Sequence, residues 1–182
     1  MSDIIDKQIL KDEILVRFLF DTNFKKKISH KDKIIDGEVF LDLRGVSLQR
    51  ERYCTENKCK QFANNIPKKF AGFVVFRKKH FEEIKSLHKE KREDFEAIIK
   101  STPLNEDNEY IPEDVVVYTS TLGNPAHCDL VYINPSIDES QNESPKIAIR
   151  SFSRKLYRKS ILIIDERSDD ENYLGEAFKN VV

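Results

Sequence analysis

FAGFVVF, residues Phe70 to Phe76, runs directly into RKKHFEEIKSLHKEKRE, Arg77 to Glu93, and the change of pattern between the two decides the fold class. The first stretch is apolar almost throughout, rich in valine and phenylalanine, and short, which is the signature of a buried strand. Gly72 inside it signals a bulge or a close backbone contact. The second stretch turns charged and sets Phe81, Ile84 and Leu87 or His88 on one face at helical spacing, with Glu82, Glu83 and Glu90 placed to pair with its lysines and arginines.

The same alternation extends in both directions. Upstream, EILVRFLF from Glu13 to Phe20 is a second buried strand, from which Arg17 projects, and it stops at the turn-forming Asp21-Thr22-Asn23. A basic stretch from Lys25 to Lys33 follows and is closed by the turn Asp36-Gly37. Glu38 to Asp42 and Val46 to Arg50 read as short strands around Gly45, with Val46 and Leu48 on the face opposite to Ser47 and Gln49. Thr55 can cap a short helix that carries Cys59, Phe62, Ala63 and Ile66 on one side and ends at Pro67.

Downstream, Phe95 to Lys100 suggests a strand, and the acidic, proline-containing Thr102 to Asp114 a loop. Val115 to Thr119 and Cys128 to Ile133 bracket the turn Gly123-Asn124-Pro125 as two further strands. After a polar loop, Lys146 to Lys159 reads as a helix leading into the strand Ser160 to Ile164. These elements predict an α+β fold over residues 1–164, with a mixed or mainly antiparallel sheet of about six strands and about three helices. Residues 165–182 form an acidic tail, with a short helix as an option near Leu174 to Phe178.

Composition bounds the function. A chain of 182 residues fits a single domain, and hydrophobic residues at 39% beside charged residues at 35% describe a heavily ionised surface over an adequate core. Lys+Arg 31 against Asp+Glu 32 leaves a net charge of −1, which argues against a generic coat for nucleic acid or membrane. No apolar run approaches a membrane span, MSDIIDKQ lacks the apolar core of a signal peptide, and three cysteines cannot all pair, so a reduced, cytoplasmic setting is expected. No Walker loop, G-x-G-x-x-G, G-x-S-x-G or H-E-x-x-H occurs, and no cofactor is expected.

Four constellations remain. Lys146, Arg150, Arg154 and Arg158 stack at i, i+4 spacing if their segment is helical, with no acid between Pro145 and Ser160. Like charges so placed oppose a helix, so an anionic surface should face them. The acidic run from Asp165 to Glu171 or an acidic protein partner is weighed above nucleic acid for that role. His127 opens a strand two residues before Asp129 and can act as a general base oriented by that carboxylate, or can simply lock the preceding turn. Arg17, Arg44 and Arg50 can grip a phosphate or other anion, although Glu38, Asp42 and Glu51 are nearby pairing candidates. Cys54, Cys59, His127 and Cys128 are zinc-ligand types at a poor spacing, and no metal site is expected.

The order of DGEVFLDLRGVSLQRERY, FAGFVVF and GNPAHCDLVY resembles a widespread set of small bacterial proteins of undetermined function. Its motifs fall here on Arg17, Asp36-Gly37, Ser47-Leu48-Gln49-Arg50, Gly72-Phe73-Val74 and Asn124-Pro125-Ala126-His127-Cys128-Asp129-Leu130, spanning roughly residues 13 to 133. The loci of that set resemble mobile or defence islands, which implies an accessory, partner-dependent role, and no catalytic residue comes with the resemblance. The leading expectation is therefore a small cytoplasmic accessory or binding protein acting through a protein partner by way of Lys146, Arg150, Arg154 and Arg158. The alternative is an enzyme or toxin acting on a nucleotide or nucleic acid, with Arg17, Arg44 and Arg50 holding phosphates while His127 and Asp129 move protons. That alternative requires His127 and at least two of those arginines to converge on one concave site.

Overall fold

The computed structural model describes residues 3–24, 37–90, 95–133, 143–179 and 181, and of residues 88–90 and 143–146 the backbone alone. Six strands form one sheet: β1 (Ile14–Phe20), β2 (Val46–Arg50), β3 (Phe70–Arg77), β4 (Glu96–Ser101), β5 (His127–Ile133) and β6 (Ile161–Ile164). They lie in the order β4-β5-β2-β1-β3-β6, and every neighbouring pair is antiparallel. Three helices complete the α+β fold: α1 (Glu56–Asn64), α2 (Lys78–Glu90) and α3 (Glu143–Arg158). Among the described residues no helix is long and apolar enough to cross a membrane.

Both faces of the sheet are covered, and that explains why β1 and β3 carry apolar residues almost without alternation. On one face Leu15, Leu19, Val74 and Phe76 pack with Phe81 and Ile84 of α2 and with Ile149, Phe152 and Leu156 of α3. On the other, Val16, Phe18, Phe73 and Val75 pack with Cys59 and Ala63 of α1 and with Phe178 and Val181 near the C-terminus. Thr55 caps α1 as the sequence predicts, its hydroxyl accepting the Lys58 N–H.

Three sequence expectations are corrected. Glu38 to Asp42 forms turns, not a strand. Its apolar residues are drawn inward by side chains instead of by a ladder: the Phe40 N–H donates to Ser153 Oγ on α3, and the Phe40 carbonyl accepts the Tyr132 hydroxyl. Val115 to Thr119 makes a single bridge, Tyr118 to Ile4, because no strand of the sheet comes alongside it, and Val115 and Val116 stay exposed. The tail contains no helix among its described residues. Its backbone N–H groups at Tyr173 and Phe178 are taken by Asn57 Oδ1 and Glu56 Oε1 from the first turn of α1, which fixes it as irregular chain over the second core. There the Tyr173 and Phe178 rings meet Phe73 edge-on, so the acidic tail is part of the folded unit.

Gly72 shows both features expected of it. The β1–β3 register slips between Leu19 and Phe20, opposite Gly72 and Phe70, and Gly72 adopts φ 151°, a conformation that side chains avoid. A Cβ there would stand 2.1 Å from the Ile163 carbonyl oxygen of β6. Gly72→Ala should therefore cost about 2–4 kcal/mol through overpacking and backbone strain. Urea unfolding measures it, and a loss under about 1 kcal/mol would show that β6 can move away at little cost.

Candidate functional site

The site begins where β1 and β2 part. Their ladder holds only two pairs, Leu15 with Arg50 and Val16 with Gln49. Beyond it the Arg17 guanidinium enters the gap, donating from Nη1 to the Ser47 carbonyl at 3.0 Å and from Nε to the Val39 carbonyl at 3.4 Å. Arg17 thus satisfies backbone acceptors beside the truncated ladder. The opening leaves a cavity of about 330 Å³ on the α1 face, lined by Arg17, Phe18, Phe20, Gln49, Phe62, Lys68, Asn124 and His127 among others.

His127 sits across the ladder from Gln49, and Asp129 across from Ser47, so period-two alternation puts all four on the cavity face of the sheet. His127 Nδ1 lies 2.7 Å from the Thr102 carbonyl oxygen, which can only accept, so Nδ1 carries the proton and Nε2 is the acceptor nitrogen. Burial is the main cause holding the His127 pKa below its ordinary 6.5, against the pull of Asp129 and the Thr102 bond, with Arg17 adding to the depression. Asp129 Oδ2 accepts the Thr102 hydroxyl at 2.8 Å and the Tyr110 hydroxyl at 3.1 Å. Its other oxygen stands 3.8 Å from His127 Nε2.

This geometry brings His127 and Asp129 together but reverses the expected division of labour. The ring is oriented by the Thr102 backbone, and the carboxylate sits on the side of the nitrogen that a general base would turn to its substrate. The three arginines do not converge. Arg44 lies on the loop before β2, its side chain 86% exposed, with Asp42 at 3.5 Å. Arg50 points to the opposite face of the sheet from Gln49, fully buried, with Nη2 and Nε on the two oxygens of Glu13 and further bonds to the Asp6 and Gln8 carbonyls. No anion from outside reaches it. Arg17 alone of the three borders the cavity with His127.

The segment from Lys146 to Arg158 is helical, as expected, within α3. Ile149, Phe152 and Leu156 are buried while Arg150, Arg154 and Arg158 are exposed on the outer side; the Lys146 side chain lies outside the described residues, as does His30. Asp165 pairs with the buried Lys60 at 2.7 Å and Asp169 with Lys69 at 2.9 Å. Glu38 lies 3.9 Å from Arg150, and Glu83 lies 3.6 Å from Lys159 just beyond α3.

The thiols of Cys54 and Cys59 lie 2.8 Å apart in the second core, while Cys128 projects to the opposite face from His127. Among the described residues no three His, Cys, Asp or Glu side chains gather as metal ligands. Thr102, Tyr110, Gln49 and Asn124 belong to the site and were not named as site residues from the sequence. For Gln49 a signal existed, a polar residue sharing a strand face with Ser47, whereas Thr102 and Tyr110 come from a loop whose docking no local pattern encodes. Comparison of the chain with family models, with curated proteins and with solved structures gives no match.

Because the folded His127 pKa is depressed, the unfolded chain takes up a proton there first as pH falls. The stability due to the neutral ring is therefore complete above 6.5 and is lost as pH drops toward the folded value. His127→Gln should flatten the stability difference between about pH 7.5 and pH 5. His80, shifted in the same direction by burial, remains as an internal reference. An unchanged slope in urea titrations would remove His127 as a buried neutral group.

Proposed function

We propose that the protein is a small cytoplasmic binding module that acts through an acidic protein partner, with the outer face of α3 as the partner-facing surface. The observation that carries this is the arrangement of α3: its apolar side is anchored in the core at Ile149, Phe152 and Leu156, and Arg150, Arg154 and Arg158 share the exposed side. A rigid element presenting spaced guanidinium groups suits planar, bidentate recognition of carboxylates. Two carboxylates of the acidic run, Asp165 and Asp169, pair with Lys60 and Lys69. A net charge of −1 favours a protein acid over a nucleic-acid backbone as the counterpart.

The motif order across residues 13 to 133, which resembles small bacterial proteins of mobile and defence-type loci, supports the same accessory role. The alternative, a nucleotide- or nucleic-acid-directed enzyme built on Arg17, Arg44, Arg50, His127 and Asp129, has lost its central support, since Arg44 and Arg50 stand apart from the cavity.

Arg150→Glu with Arg158→Glu should leave the fold intact, as both side chains are exposed on a helix anchored elsewhere. Recovery of a stoichiometric partner in native affinity purification from the host should fall on the order of tenfold or more, and wild-type binding should weaken with added salt. Absorbance at 260 and 280 nm identifies the retained material. Undiminished recovery by the double variant, or nucleic acid in place of protein, would sink the proposal.

A further inference from the structure

Helix α1 is entered through a hydrophobic staple, and both of its members are cysteines. Thr55 is the N-cap, so Cys54 stands just before the cap and Cys59 is the fourth helical residue. Side chains at those two positions pack across the first turn and fix the angle at which the chain enters a helix. Here the contact brings Cys54 Sγ and Cys59 Sγ to 2.8 Å. A disulfide bond measures about 2.05 Å, so joining the two asks for less than about 1 Å of further approach. The backbone fixes both ends: the Cys54 N–H donates to the Glu51 carbonyl at 3.1 Å and the Cys59 N–H to the Thr55 carbonyl at 2.9 Å.

Packing alone does not call for sulfur. A staple needs only apolar side chains, and valine or leucine would serve it. What two thiols add is the capacity to be joined. Cys128 stands outside the pair, fully buried in the core on the other face of the sheet. The turn that the pair spans also seats the C-terminal segment, since Glu56 Oε1 and Asn57 Oδ1 accept the Phe178 and Tyr173 N–H groups.

We propose that Cys54 and Cys59 form a reversible disulfide, exchanged with a low-molecular-weight disulfide such as glutathione disulfide, that locks the first turn of α1. The Cys54 thiolate attacks one sulfur of glutathione disulfide, whose S–S bond breaks to release one glutathione thiolate. The Cys59 thiolate then attacks Cys54 Sγ in the mixed disulfide and releases the second. The protein loses two electrons and glutathione disulfide gains them, while the protons of the two protein thiols end on the two glutathiones. In the closed fold burial pushes the Cys59 thiol pKa up, which keeps the pair unreactive. Exchange takes place when the first turn opens, helix ends being among the parts that open at least cost. A disulfide in a reducing compartment is typically transient and redox-sensing, which suits a pair built into a helix end.

The full chain is brought to equilibrium with glutathione disulfide or with reduced glutathione, once in the folded state and once by refolding from urea. Disulfide mapping by mass spectrometry and the melting temperature are then read. The oxidised protein should carry the Cys54–Cys59 bond with Cys128 left as a free thiol. It should melt about 4–8 °C above the reduced protein, as a short closed loop predicts, and reduced glutathione should reverse both changes. Cys54→Val keeps an apolar staple and should show no rise in melting temperature with glutathione disulfide. The proposal is overturned if the bond forms by neither route, if it is not reopened by reduced glutathione, or if it raises the melting temperature by less than about 1 °C. A rise that persists in Cys54→Val overturns it as well.

Discussion

A guanidinium with no exposure to solvent has to be neutralised within the fold, and Arg50 is such a group. Glu13 takes it in a two-pronged pair, the Asp6 and Gln8 carbonyls and Ser101 Oγ accept its remaining N–H groups, and the Tyr53 ring lies 4.7 Å from its centre. The N-terminal segment, β2 and the end of β4 are thereby tied to one side chain. Removing either member of such a pair typically costs about 3–5 kcal/mol, because the other is left as an uncompensated buried charge. The pair also sets register. Sliding β2 by one residue would turn Arg50 toward the cavity and Gln49 into the apolar layer under α2 and α3, so the contents of the candidate site follow from where Arg50 must point.

The other face of the sheet repeats the device. Lys60, on α1 and fully buried, forms an ion pair with Asp165 at 2.7 Å and donates to the Arg167 carbonyl at 2.8 Å. This holds the chain beyond β6 against α1 and lets Tyr173, Phe178 and Val181 complete the second core. An acidic stretch that looks like a solvated tail is thus structural at its first residue. Among the α3 arginines, Arg150 is approached by Glu38.

What could be read from the sequence was what short-range patterns encode. β1, β3 and β6 announce themselves as apolar runs, α1 by its cap, α2 and α3 by their periodicity, and Gly72 by its position inside a strand. What could not be read depends on partners distant along the chain. Arg50 looks like an anion-gripping residue because Glu13, 37 residues away, is invisible to any local window. His127 looks like a base oriented by Asp129 because the Thr102 carbonyl, 25 residues away, carries no mark in the sequence. Val115 and Val116 have strand propensity and no strand beside them, and propensity yields when no ladder is on offer.

The α3 face and the cavity lie on opposite sides of the sheet, yet they share a neighbour. Arg17 bonds to the Ser47 carbonyl at the cavity margin and to the Val39 carbonyl in the turn segment after Gly37. That segment is the one packed on α3: Phe40 is held by Ser153, Glu38 approaches Arg150, and a Cβ on Gly37 would meet the Arg150 side chain at 2.7 Å. A guanidinium held by both acceptors cannot move without loosening one of them. Arg17 thus ties the cavity margin to the segment packed on α3 through two hydrogen bonds, each worth about 1 kcal/mol.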